Sequence, residues 1–249
     1  MKSYDDEESR KVKNNSRIVD SFNNAINGII ESISTERNML FHMFMAFFVI
    51  ILAMILDFTR LELIVIGLTI VFVLVAELFN TAIEVLTDLA SDNKYHELAK
   101  KTKDIAAGAV LLSAIASVFV GYLLIYPKIK EMIEKGSFQF KAMENVEHMI
   151  IISIVVTLIA VLLLKGIFYK KNTSYLFGGS VSGHAALAFN LSTIATILAD
   201  NISLIIIVNM LAVIVAESRY EAKIHSLKEV ILGSILGISL ALLLFMKFI

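Results

Sequence analysis

The sequence predicts an all-α integral membrane protein, in which an amphipathic surface helix and three transmembrane helices precede about four further transmembrane helices. Hydrophobic residues make up 57% of the 249 residues and charged residues only 18%, a balance that is atypical of water-soluble domains. The apolar residues also gather in charge-poor segments, and a bilayer crossing needs roughly 17 or more such residues. The segments are 38–56, 63–86, 105–126, 149–164, 185–199, 202–216 and 230–246; the fourth, fifth and sixth are short and are expected to borrow flanking residues or to tilt.

The chain begins with a charged stretch, residues 2–17, which lacks the apolar core of a secretion signal. Residues 18–33 then place isoleucines and Phe22 at helical spacing, with polar residues on the opposite side. This pattern predicts an amphipathic helix at the membrane surface. An ordinary packing helix is the alternative.

The chain divides into two modules near its single proline, Pro127. Proline disfavours continuation of a helix, so Pro127 is predicted to end the third span. The charged residues 128–147 then form a predicted linker between a first module, residues 1–127, and a second module, residues 148–249.

A stripe of acids runs along the otherwise apolar second span. Glu77, Asn80, Glu84 and Asp88 are spaced at i, i+3, i+7 and i+11, which places them on one helix face. An ionisable group at membrane depth costs roughly 2.5–3.5 kcal/mol on insertion scales, so such groups usually serve a function. Together with Lys103 at the start of the next span, the stripe suits a divalent metal and a polyphosphate.

The strings Glu77-Leu-Phe-Asn80-Thr-Ala-Ile-Glu84 and Lys103-Asp104-Ile-Ala-Ala-Gly108, with Thr35-Glu36-Arg37-Asn38 upstream, resemble the bacterial integral-membrane diacylglycerol kinase family. The resemblance covers nearly all of residues 15–127, and Arg37-Asn38 with His42 is closer to the branch that acts on undecaprenol. It implies an ATP- and magnesium-dependent lipid kinase that forms a homotrimer with shared active sites. By position, Glu77 would be the general base, and Glu36 and Glu84 would hold magnesium. Asn80 and Lys103 would contact the phosphates, and Asp88 and Asp104 would help to hold the nucleotide or the site geometry.

The second module carries two histidines at helix ends, His184 after a Ser-Gly turn and His225 after Ser218-Arg219. Such a pair suits phosphate-ester chemistry, because one histidine attacks phosphorus, the other protonates the leaving oxygen, and an arginine with backbone amides binds the anion.

These strings resemble the second and third motifs of the type 2 phosphatidic acid phosphatase superfamily, Pro-Ser-Gly-His and Ser-Arg-x5-His-x3-Asp. The resemblance implies that His184 is the acid and His225 the nucleophile, and that Glu229 orients His225 in place of aspartate. The phosphate-binding residues would be Lys165, Ser182, Gly183, Arg219 and Glu229. Val181 stands where the family has proline, and of the first motif little more than Lys165 remains. A degenerate domain that binds lipid phosphates is therefore the alternative to an active phosphatase.

The basic residues predict the orientation in the membrane. With seven spans and the amino terminus inside, 16 of the 22 lysines and arginines lie on the cytoplasmic side, as the positive-inside rule requires. Both candidate sites then face the cytoplasm from the plasma membrane. The net charge of −1 argues against a nucleic-acid partner, and the absence of cysteine excludes thiol chemistry. The remaining alternative is a non-catalytic membrane module that binds lipid phosphates or organises partners.

Overall fold

A computed structural model describes residues 20–56, 58–134, 146–168 and 180–248, and the regular structure of these ranges is helical throughout. Helix α1 covers residues 20–35. The others are α2 (Arg37–Ile55), α3 (Arg60–Ala90), α4 (Glu97–Glu134), α5 (Val146–Ile167), α6 (Gly183–Leu198), α7 (Ile202–Glu221) and α8 (Leu227–Phe245), which ends in a short 3-10 turn, Met246–Phe248. The charged stretch 2–17 and residues 135–145 of the predicted linker lie outside the described ranges.

Within these ranges, six helices are long and apolar enough to cross a membrane. They are α2, α3 and α4 in the first module and α5, α7 and α8 in the second; α6, with 16 residues, is shorter. The predicted all-α membrane architecture, with three spans and then about four further helices, is confirmed.

The prediction that the third span ends at Pro127 is wrong. Helix α4 continues through Pro127 to Glu134, so the first part of the expected linker is helical. Pro127 removes one backbone donor, and such a loss is tolerated where other contacts hold the helix. Here Lys128 lies 3.3 Å from a carboxylate oxygen of Glu62 on α3 and stands over the ring of Phe58.

The two modules share a hydrophobic core between α2 and α5. Met39 and Met43, near the start of α2, pack with Leu163 near the end of α5. Met54, near the end of α2, packs with Met149 near the start of α5. The two helices are therefore antiparallel, and the start of α2 and the end of α5 lie at the same end of the bundle. We call it the site end, since it also carries the end of α3 and the starts of α4, α6 and α8.

Close backbone contacts between α6 and α8 build the second module. A Cβ added at Gly237 would overlap the carbonyl oxygen of Ala186, and one at Gly233 would overlap that of Ser182. Below these contacts the fully buried Asn190 donates to Ser153 (3.0 Å) and to the Gly237 carbonyl (3.3 Å). Small residues that allow close approach, and side-chain amides that bridge helices, are typical of packing within membranes.

Helix α1 is only partly a surface helix. Ile30 and Ile33, in its last turns, are buried against protein, whereas Phe22 is 68% exposed. Its carboxyl-terminal half therefore behaves as the packing helix of the alternative interpretation, and its beginning keeps the exposed apolar side chain expected at a membrane surface.

Candidate active sites

The acid stripe of α3 lies in the membrane-spanning part of the site end, and Glu77 is its most buried member, with 1% exposure. Asn80 donates through Nδ2 to Oε1 of Glu84 at 2.8 Å. Two buried oxygens of the stripe, Oε2 of Glu77 and Oδ1 of Asn80, have no hydrogen-bond partner among the described residues. Buried polar atoms are seldom left unpaired without a reason, so this face of α3 retains free acceptors for a ligand.

Glu36 reaches the same place from a different element. It is the extended residue between α1 and α2, and its backbone N–H donates to the Ser32 carbonyl at 2.9 Å. The charges of Glu36 and Glu84 both act on Glu77, so three predicted site acids converge. No three carboxylates or histidines in the described ranges are close enough to enclose a metal ion alone. The donor set fits magnesium nonetheless, because magnesium usually takes one or two carboxylates and completes its shell with phosphates and water.

A lysine–aspartate pair stands beside the stripe. Lys103, on α4, donates to Oδ1 of Asp88 at 2.6 Å, and both side chains remain partly exposed. Asp104 is separate from this pair, since it is exposed and bonds to Lys100 at 2.6 Å. The structure therefore joins Asp88 to Lys103 and leaves Asp104 on the outer face of α4.

Sequence reasoning missed two residues that hold this site together. Thr81 donates to the backbone carbonyl of Glu77 at 3.1 Å, and its oxygen lies 3.4 Å from the hydroxyl of Ser32 on α1. These two bonds tie α1 to α3 one turn from Glu77. The sequence feature that could have identified Thr81 is its position, four residues after Glu77 and inside the acid stripe.

An apolar cavity of about 660 Å³ lies between α2, α3 and α4. Val73 and Leu74 line it one helical turn from Glu77, and Tyr122 and Tyr126 line it further along α4. His42 belongs to the same wall. A cavity of this volume and lining accommodates part of a lipid chain.

The second site begins with the turn before α6. Ser182 caps this helix, since its hydroxyl accepts from the Ala185 N–H at 3.4 Å, and its own N–H donates to the Glu229 carbonyl at 2.9 Å. The buried Ser182 and neighbouring Gly183 are thereby held against the start of α8. Gly233 permits this approach because it has no Cβ.

His225 is buried and its Nδ1 lies 2.9 Å from Oε2 of Glu229. When Glu229 is ionised the Nδ1–H donates, which leaves the lone pair on Nε2. Glu229 is held in turn by the Ser226 N–H at 3.2 Å, as part of a capping box. The pKa of His225 is lowered by burial and by the nearby cations Lys165 and Arg219, and the bond to Glu229 opposes this shift. His225 is therefore poised to be neutral.

The remaining predicted residues gather around His225. Arg219 accepts the N–H of His225 on its carbonyl at 3.2 Å. The charges of Arg219, His225 and Lys165 all act on His184, which is solvent-exposed. Lys165 also interacts electrostatically with Glu229. Two histidines, two cations and a helix start therefore surround one exposed position, and this arrangement can bind an anion.

Comparisons with known proteins match two separate parts of the chain. Residues 23–125 match the prokaryotic diacylglycerol kinase family, and residues 153–248 match the PAP2 superfamily. A diacylglycerol kinase from Synechocystis sp. is 44% identical over 109 residues, which are 44% of this chain and 62% of the relative. An undecaprenol kinase from Bacillus subtilis is 42% identical over 113 residues, which are 45% of this chain and 91% of the relative.

No solved structure matches the chain. The chain spans 62% of the length of the Synechocystis relative, but it covers nearly the whole of the Bacillus subtilis one. The resemblance predicted from the acid stripe and the histidine motifs is confirmed in both halves. The chain thus belongs to the prokaryotic diacylglycerol kinase family and carries, in addition, a region that matches the PAP2 superfamily.

Proposed function

We propose that the chain is an ATP- and magnesium-dependent lipid kinase that phosphorylates undecaprenol or diacylglycerol. The observation that carries the proposal is Glu77, a buried carboxylate with an unpaired oxygen that stands one turn from a lipid-sized cavity. Its position in a chain of this kinase family, at the residue expected to be the base, supports the same conclusion. A scaffold protein has no need for an unpaired buried acid, which costs free energy.

The lipid chain would occupy the cavity and bring its hydroxyl to Glu77. Glu77 would take the proton as the lipid oxygen attacks the terminal phosphorus of ATP, the bond from that phosphorus to the bridging oxygen would break, and ADP would leave. Glu36 and Glu84 would hold magnesium, whose chemical contribution is to neutralise charge on the phosphates. Asn80 and Lys103 would orient the transferring group, and Asp88 keeps the lysine in place through the 2.6 Å bond. Positioning and charge neutralisation supply most of the catalysis in phosphoryl transfer.

The proposal includes a homotrimer that shares active sites between protomers. In one chain a Cβ at Gly108 of α4 meets no atom within 4 Å, so this small residue is open to another helix. The free acceptors of Glu77 and Asn80 would face groups bound between protomers. The site end is proposed to face the cytoplasm from the plasma membrane, where ATP is present.

The decisive experiment is transfer of labelled phosphate from ATP to undecaprenol and to diacylglycerol by the purified protein, with and without magnesium. We expect one lipid to be labelled, and only with magnesium present. Glu84→Gln should reduce turnover at least a hundredfold. No transfer to either lipid, or full activity of Glu84→Gln, would refute the kinase proposal.

A second candidate activity, lipid-phosphate hydrolysis, is favoured by the 2.9 Å contact between His225 and Glu229. Nε2 of His225 would attack phosphorus and displace the lipid oxygen, to which His184 gives its proton. Water would then release phosphate from His225. Arg219 and Lys165 would bind the phosphate oxygens. The start of α6, at Ser182 and Gly183, would add free backbone N–H groups of the first helical turn.

Phosphate release from a lipid phosphate by wild type, and its loss in His225→Asn, would support the second activity. Binding of the lipid phosphate without release would instead identify the region as a non-catalytic binding module.

A further inference from the structure

Besides the core shared by α2 and α5, the second module contacts the kinase module through a glycine. Gly166, on α5, is buried against α1, and a Cβ built there would lie 2.8 Å from Cβ of Ile33 and overlap its Cγ2. The carbonyl carbon of Ile33 is 3.6 Å from the same position. The last distance is an ordinary contact, so a side chain at residue 166 would displace the Ile33 side chain at its branch point. Gly28, also on α1, has no atom within 4 Å of such a Cβ.

Another side of α1 contacts helix α3, which carries the kinase site. Ser32, the neighbour of Ile33, lies 3.4 Å from Thr81, which bonds to the backbone of Glu77 at 3.1 Å. The last turn of α1 is therefore held between α3 on one side and α5 on the other.

Glu36 follows directly from this turn. Its N–H donates to the Ser32 carbonyl at 2.9 Å, and α2 begins at the next residue. A displacement of residues 32 and 33 is thus transmitted to Glu36 by a hydrogen bond and three peptide units. Side chains in a close-packed interior have little room to shift independently of their neighbours. A misplacement of about 1 Å in a catalytic constellation can cost a hundredfold in rate.

We propose that Gly166 and Ile33 are positioning residues, through which the PAP2-like module sets the location of Glu36 in the kinase site. The inference rests on the proposed kinase function. It assigns the second module a role in the kinase reaction, whether or not that module is itself an enzyme. Because Gly166 adjoins Lys165 of the histidine cluster, the contact lies one residue from the second site.

The test uses the full-length protein and measures kcat together with the magnesium concentration at half-maximal rate. Gly166→Ala should raise that concentration at least tenfold, because the added methyl group displaces the turn that carries Glu36. Ile33→Ala alone should raise it about threefold, since it loosens the contact without a clash. The double variant removes the Cγ2 atom that the new methyl group would overlap but keeps the 2.8 Å approach of the two Cβ atoms, so it should recover part of the loss. The matched control is Gly28→Ala, the same exchange on the helix that carries Ile33, and it should leave both parameters unchanged.

The origin of the effect is checked in a Glu36→Gln background. If Gly166 acts through Glu36, then Gly166→Ala should add little to the loss caused by Glu36→Gln, because the two changes would not be additive. An additive loss, or a fall in kcat with unchanged magnesium dependence, would overturn the inference. If Gly166→Ala does not fold, Ile33→Ala decides, and normal magnesium dependence in that variant overturns the inference. Inactive wild type would instead refute the kinase proposal and this inference with it.

Discussion

Replacement of Glu77 by glutamine should abolish most kinase turnover and leave the fold intact. The side chain is 1% exposed and its Oε2 has no partner in the described ranges, so its carboxylate is an acceptor kept free for a proton. Glutamine has nearly the same volume and cannot accept that proton. Loss of a positioned general base costs about 10²–10⁴ in rate, which corresponds to roughly 3–5 kcal/mol of activation free energy.

The substitution should affect catalysis without affecting stability. Glutamine removes a buried acid that lacks a compensating partner, so the free energy of unfolding should not fall. We expect kcat for phosphate transfer from labelled ATP to undecaprenol to drop, with little change in KM for ATP. Thermal unfolding in detergent should match wild type.

The matched control is Glu62→Gln on the same helix. Glu62 forms a capping box with Thr59 at the far end of α3 and pairs with Lys128 through the same oxygen. The amide oxygen of glutamine can accept both hydrogen bonds, so only the charge is lost. Its activity should stay within twofold of wild type. A Glu77→Gln protein with more than a tenth of wild-type kcat would refute the assignment of Glu77 as the base.

Further predictions concern assembly, topology and the second site. Size measurement of the active protein in detergent should give three chains per particle, and an active monomer would contradict the shared-site proposal. A single cysteine at Glu221, at the site end, should be shielded from an impermeant thiol reagent in intact cells, while one at Asp200, at the opposite end, should react; the chain has no cysteine of its own to interfere. The reverse labelling would invert the proposed orientation. Because burial lowers the pKa of His225 below its ordinary value of 6.5, the histidine stays neutral down to that pH, and phosphate release should persist from pH 7.5 to 6.5 and fall only in more acidic buffer. Protonation on unfolding then favours the unfolded chain as the pH falls, so thermal stability should decline over the same acidic range. An acid limb already above pH 6.5 would contradict the role of His225 as nucleophile.

Local sequence patterns were sufficient to predict the class of the protein and which residues make up its candidate sites. The acid stripe follows from helical periodicity, because residues at i, i+3, i+7 and i+11 share a face wherever a helix forms. Glu77, Asn80 and Glu84 therefore lie together as predicted. The pairing of His225 with Glu229 is equally local, since the two are four residues apart across the start of α8.

The end of α4 did not follow from such a pattern. Pro127 is a local signal to stop, and contacts of Lys128 with Glu62 and Phe58, which are distant in sequence, keep the helix intact. Whether α1 packs against lipid or against protein could not be predicted for a similar reason. An amphipathic stripe presents an apolar face without specifying whether lipid or protein covers it.

The sequence by itself determined that this is a helical membrane protein with a kinase-like acid stripe and a histidine pair, because hydrophobicity and helical spacing are properties of short segments. The tertiary structure alone decided that α2 and α5 pack antiparallel and that Ile33 meets Gly166. These facts depend on contacts between residues that are 95 or more positions apart in the chain. No periodicity encodes such contacts, since they arise from the fit of one helix surface against another.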